Sequence, residues 1–92
     1  NGLMDISLIV SKDGNIDRSP LINLRGLPIN DHELNEIKYE IEDKIFDVCK
    51  SFSLNNKKQE SSLLDNLKKS LKKIIQFRLS KKPFTNINII RL

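Results

Sequence analysis

The sequence predicts an α+β fold, a two-layer sandwich in the order β-β-α-α-β, with a three-stranded sheet and two helices on one face, folded as a single domain over residues 1–92. Three observations predict it. Apolar residues recur at helical spacing in two central segments, and segments near both ends carry the extended pattern of strands. Asp13-Gly14 sits between the first strand and its return, where a hairpin turn needs positive φ. One apolar stripe per helix and one apolar face per strand are most simply buried when both helices cover the same sheet face.

Leu3–Val10 alternates and then runs apolar through Leu8, Ile9 and Val10, as a strand buried on at least one face does. After the turn at Ser11-Lys12-Asp13-Gly14-Asn15, a second strand returns antiparallel from about Ile16 to Arg25. Pro20 within it, lacking an N–H, assigns it to an edge or a bulge, and Gly26 and Pro28 end it. The first helix follows, with Leu34, Ile37, Ile41, Ile45, Val48 and Phe52 as its stripe. Asn30 and Glu33 have the spacing of a capping box, and Ile29 with Leu34 that of a hydrophobic staple. Ser53–Gln59 is polar and reads as the connector. Ser61 or Ser62 caps a second helix with the stripe Leu64, Leu67, Leu71, Ile74 and Ile75, flanked by Leu63 and Phe77, and Pro83 marks its end. Phe84–Leu92 alternates at Ile87 and Ile89 as a third strand, which pairs with the first or the second. Because that strand returns to the sheet, its deletion is expected to unfold the domain.

Composition excludes several function classes. A chain of this length buries roughly 60 to 65% of its unfolded surface, enough for one core but not for a cleft between domains, so an autonomous enzyme is not expected. Cys49 and His32, one of each, cannot build a disulfide or a three- or four-ligand zinc site. No apolar run approaches the roughly 20 residues that span a bilayer, and no secretory leader opens the chain. A lone thiol points to a reducing cytoplasm. The start at Asn1 reads as a piece of a longer protein, or as a tag remnant before Met4.

Charge is divided along the chain. Residues 1–56 carry 6 basic and 10 acidic side chains, net −4, and residues 57–92 carry 10 basic and 2 acidic, net +8. The first helix is acidic, through Asp31, Glu33, Glu36, Glu40, Glu42, Asp43 and Asp47. Carboxylates on the polar side of an amphipathic helix lack the sequestration that acid/base chemistry needs. The second helix and its exit carry Lys68, Lys69, Lys72, Lys73, Arg78, Lys81 and Lys82. Its six lysines are candidate RNA-phosphate contacts of an auxiliary, sequence-neutral kind; the alternative is a solvated face that pairs in part with the acidic helix. Stacking aromatics are not expected, because Phe77 and Phe84 read as core and Tyr39 is isolated. His32 reads as a surface residue, Cys49 as a buried inert thiol, and Ser70 and Ser80 have no histidine within local reach. No catalytic and no metal residues are assigned. The edges of a three-stranded sheet offer assembly as a further possibility, and the acidic helix could dock on a basic partner.

The ordered set of segments carries a resemblance. Asn1-Gly2-Leu3 to Val10, the hairpin Lys12-Asp13-Gly14-Asn15-Ile16, then Ser19-Pro20-Leu21-Ile22-Asn23-Leu24-Arg25-Gly26-Leu27-Pro28, and Lys81-Lys82-Pro83-Phe84-Thr85 to Arg91-Leu92 together resemble the C-terminal domain of ribonuclease J, most of all its proteobacterial branch, over essentially the whole chain. Many members have Ser-Arg-Gly-Phe where Leu24-Arg25-Gly26-Leu27 stands, so Arg25 and Gly26 are the positions that match; Ser80 stands where a glycine often precedes the basic pair. The resemblance implies a parent enzyme of the metallo-β-lactamase type with a β-CASP insertion, a zinc-dependent 5′-to-3′ exo- and endoribonuclease of RNA decay and maturation. Its zinc ligands would lie in the catalytic domain, with no cofactor in this chain. The expected partners are the rest of that chain, further copies in a homo-oligomer of the parent, and RNA, with no membrane. The expected role is non-catalytic, supporting oligomerisation or the active form.

Overall fold

The computed structural model describes residues 2–92, so Asn1, first of the family-like residues, lies outside the described residues. Three strands, β1 (Leu3–Val10), β2 (Leu21–Arg25) and β3 (Phe84–Arg91), form one sheet in the order β2-β1-β3. Helices α1 (Asp31–Cys49) and α2 (Lys57–Leu79) intervene between β2 and β3. The predicted α+β class and β-β-α-α-β order hold, and the sheet is mixed. β2 runs antiparallel to β1, whereas β3 pairs with β1 in parallel over all eight residues, from Leu3 opposite Phe84 to Val10 opposite Arg91. The Phe84 N–H donates to the Gly2 carbonyl and the Leu92 N–H to the Val10 carbonyl, both at 3.0 Å, closing that ladder at either end.

Strand pleating decides the layers. Met4, Ile6, Leu8 and Val10 of β1 point to one face with Ile87 of β3, and all five are buried in one core with Ile37, Ile41 and Ile45 of α1 and Leu63, Leu67, Leu71 and Ile75 of α2. Burying each such side chain fully contributes about 1.5–3 kcal/mol. Both helices therefore cover this face; among the described residues no helix or strand packs on the opposite one, where Ile9 is nevertheless buried.

The antiparallel return is shorter than predicted. Only Ile16 reaches the ladder, in a single bridge to Val10, before β2 resumes with Leu21 opposite Ser7. Asp17 to Pro20 thus stand opposite only Leu8 and Ile9, an irregularity that accommodates the missing N–H of a buried Pro20. Gly14 has the positive φ of +84° that the turn demands. Gly26 (φ +69°) lets the chain leave β2 beside Gly2, whose Cα lies 3.3 Å from where a Gly26 Cβ would stand.

Helix ends also depart from the sequence reading. The Asn30 side chain caps α1 by accepting from the Glu33 N–H at 2.8 Å, as expected. The helix stops at Cys49, before Phe52, which packs on the core from the connector with Leu54 buried beside it. α2 is capped by Asn56, whose Oδ1 accepts from the Lys58 N–H at 2.9 Å, rather than by Ser61 or Ser62. Gln59 reaches back to accept from the Ser53 N–H at 2.8 Å, so residues expected in the connector form the first turn. In the stripe, Leu63 is fully buried and Leu64 only half-buried, the reverse of the prediction. At the other end Ser80 terminates α2 in the left-handed conformation (φ 55°, ψ 32°), donating its N–H to the Gln76 carbonyl at 2.9 Å.

A side chain in that conformation pushes Cβ toward the following carbonyl, at a cost of about 1–2 kcal/mol that glycine escapes. Ser80→Gly should raise stability by about 1 kcal/mol, seen as a higher midpoint in chemical denaturation with an unchanged slope; an unchanged or lower midpoint would show that the serine is not strained.

Candidate functional site

Lys69, Lys72, Lys73, Lys81 and Lys82 are exposed and Lys68 is half-buried. None of the six is within ion-pair distance of an acid among the described residues. The pairing of basic and acidic helices falls instead to an arginine. Arg78 Nε donates to Glu40 Oε1 at 2.7 Å, linking the end of α2 to α1, and that bond, with Glu36 and Glu33 nearby, pushes the guanidinium's pKa further up. Arg91 likewise ties β3 to Glu60 at the start of α2, at 2.5 Å. The arginines stitch elements together while the lysines keep their full charge toward solvent.

Between the outer sides of the helices runs an open groove of about 560 Å³. α1 contributes Glu40, Asp43 and Asp47 to it, and α2 contributes Lys73 and Phe77. Phe77 is 91% exposed, against the sequence expectation of a core residue. Helical geometry explains this: it lies about 90° from the centre of the buried stripe, beyond the sector that α1 and the sheet cover. Phe84, also expected in the core, is 73% exposed. Because Thr85 and Ile87 point inward, pleating sends Phe84, Asn86 and Asn88 to the other face. Tyr39 is 72% exposed, on a part of α1 outside the groove.

That uncovered sheet face has a polar middle and apolar margins. Asn23, Asp5 and Asn86 share one row across the strands, with Asn86 Nδ2 donating to Asp5 Oδ1 at 3.1 Å, and Ser7 donates to Asn88 Oδ1 at 2.8 Å in the next. Phe84, Leu21 and Ile90 stand exposed around them, with Leu92 beyond the strand end. Arg25, at the end of β2, lies opposite Leu3 on this face, and the adjoining Gly26 serves the turn described above. The outer edge of β3 carries neither lysine nor proline along its length, whereas β2 is short and follows Pro20.

His32 Nε2 lies 3.0 Å from Glu36 Oε1 on the exposed side of α1, one turn along the same helix. Among the described residues no three His, Cys, Asp or Glu side chains are placed to hold a metal ion. No helix is long and apolar enough to cross a membrane. Cys49 is half-buried against the core margin, and burial pushes its thiol pKa up from 9.0, away from the thiolate that attacks.

With this geometry established, comparison with protein families matches residues 1–92 to the model of the ribonuclease J C-terminal domain. No curated protein matches the chain.

Raising the Cys49 pKa makes the unfolded chain the first to lose the proton as pH climbs. Its contribution to stability is therefore constant at neutral pH and declines above about pH 9. Cys49→Ala should flatten the alkaline fall measured by denaturant titration, and an identical fall in both proteins would show that other groups cause it.

Proposed function

The chain belongs to the family of ribonuclease J C-terminal domains, and from that premise we propose that it is the non-catalytic accessory domain of a cytoplasmic ribonuclease J, supporting assembly of the enzyme or its active form. The parent is a hydrolase by family; its exo- and endonucleolytic chemistry and its zinc belong to other parts of the parent. The observation that carries the reading is the sheet face on which no helix or strand packs among the described residues, bordered by exposed Phe84, Leu21 and Ile90 and by the unblunted edge of β3. Exposed apolar side chains suit a protein contact, and the Asn86–Asp5 and Ser7–Asn88 bonds already engage part of the polar surface between them.

A second reading rests on the six lysines that no acid neutralises. They would hold RNA phosphates without reading sequence, releasing counterions as they bind.

Two measurements separate these readings. Light scattering on the ribonuclease with and without these 92 residues should show a smaller species without them, and RNA degradation by the same samples should slow; equal masses and equal rates would sink the assembly role. For the RNA role, replacing Lys68, Lys69, Lys72, Lys73, Lys81 and Lys82 by glutamine should flatten the salt dependence of single-stranded RNA binding by up to about 4 units of log K per log salt if all six touch phosphates. An unchanged slope would leave the lysines as a solvated face.

A further inference from the structure

We infer that the open edge of β3 is a docking site for an extended acidic segment of a partner protein, which joins the sheet as a further strand and places two carboxylates, two residues apart, beneath Lys68 and Lys72. The contact leaves the sheet face to the assembly reading and names a different partner.

The backbone shows what the edge offers. The Phe84 and Leu92 N–H groups both donate toward β1, so the even-numbered residues of β3 turn their backbone groups to β1 and the odd-numbered ones turn theirs outward. Thr85, Ile87, Ile89 and Arg91 thus present alternating N–H and C=O groups along the edge, and among the described residues none of these groups has a backbone partner there. An extended peptide answers both donors and acceptors with its own main chain. Phosphate oxygens only accept, so RNA would leave the carbonyls unanswered by its charged groups.

Helical geometry sets what the added strand meets. α2 is the helix that packs on β3, and it turns Ser70, Lys73, Ile74 and Phe77 toward α1, where they line the groove. At about 100° per residue, Lys68 lies about 170° and Lys72 about 150° around the helix from the middle of that set. They occupy the flank away from α1, on the side of β3's open edge, with half-buried Leu64. The Arg91–Glu60 bond joins the end of β3 to the start of α2, so the two run antiparallel. From that bond Leu64, Lys68 and Lys72 are about 6, 12 and 18 Å along the helix, and Ile89, Ile87 and Thr85 about 7, 13 and 20 Å along the strand. Residues paired with Thr85 and Ile87 on an added strand point to the helix side as those two do. Carboxylates at these positions lie beneath Lys72 and Lys68, and an apolar residue opposite Ile89 lies beneath Leu64.

Charge selects the occupant. Neither lysine is in an ion pair among the described residues; of the acids on α2, Glu60 is taken by Arg91 and Asp65 is in no ion pair. Exposed Lys81 and Lys82 just before the strand add to the positive rim. A second copy of this domain brings no matching strand, because β2 and β3 carry no acid and Asp5 of the central β1 bonds Asn86 on the other face. Opposite charges across the contact orient the peptide, and the main-chain ladder holds it.

The test adds to the full ribonuclease a fluorescent peptide about the length of β3, in which two glutamates and a valine alternate with threonine. Binding is read by anisotropy and the edge by hydrogen exchange of the Ile87 and Ile89 amides. The peptide should bind and slow that exchange, and Lys68→Glu/Lys72→Glu, checked for folding by circular dichroism, should weaken it roughly tenfold. N-methylation of one alternate set of the peptide's amides should abolish binding and methylation of the other set should not, a result that no protein variant's folding can obscure. Absence of binding overturns the proposal, as does equal binding of both methylated forms, which would mean a grip without strand pairing. Unchanged affinity in the lysine variant overturns the acidic register. Slow exchange at these amides that grows with concentration in the peptide-free protein gives the edge to a second copy, and protection by single-stranded RNA without protection by the peptide gives it to RNA; either result overturns the proposal. Failure of the peptide leaves the assembly reading intact, because that reading is tested by the mass of the ribonuclease with and without the domain.

Discussion

Everything in this fold depends on β1 being hydrogen-bonded on both sides, by a short antiparallel neighbour that comes next in the chain and by a parallel neighbour that arrives 74 residues after β1 ends. A parallel pair cannot be closed by a tight turn; it needs a crossover, and here two helices supply it. The Leu3–Phe84 register therefore does more than hold a strand. It sets which residues of β3 face the helices, and by the same pleat it delivers Phe84, Asn86, Asn88 and Ile90 to a face without cover. A slip of one residue would exchange Ile87 with Asn88 and put an amide into the core, so the alternation protects the register that creates the exposed face.

The two cationic residue types take different tasks for a physical reason. Arginine's planar fork holds a carboxylate with defined geometry and is weakly hydrated, which suits Arg78 on Glu40 and Arg91 on Glu60 at element junctions. A lysine ammonium is strongly hydrated on a flexible stem and gains little from such fixation. The division leaves the outer surface polarised, with carboxylates on α1 and ammonium groups on α2, and the helices remain adjacent through their buried stripes and one arginine bond rather than through a general neutralisation of charge.

Much of this was legible in the sequence, because periodicity is a property of burial. The Ile37, Ile41 and Ile45 stripe, the Asn30 cap, the Asp13-Gly14 turn and the β-branched alternation of β3 all read through to the structure. What failed to read depended on neighbours at a distance. Residue type places Phe77 and Phe84 in the core, whereas the wheel position of one and the strand parity of the other point outward. Asn56 takes the cap from Ser61 and Ser62 because Leu63 must turn inward and Leu54 plugs the core below it, which extends α2 toward its N-terminus by a turn that polarity alone assigned to a loop. The pairing partner of β3 was open because either strand offered an apolar face, and only the length of the ladder, eight residues on β1 against five on β2, favours the centre.

The two exposed aromatics lie on opposite sides of the sandwich and in different chemical settings, and that difference argues against a single purpose for both. Phe84 borders a face on which Asn86 donates to Asp5 and Ser7 to Asn88, so part of the polar surface there is already paired. Phe77 borders a groove lined by charges of both signs, of which Glu40 is already held by Arg78 at 2.7 Å. The domain thus presents two chemically different surfaces, one on its sheet and one on its helices. The two faces share one core: Met4, Ile6 and Leu8 have their backbone in the sheet and their side chains beneath the helices.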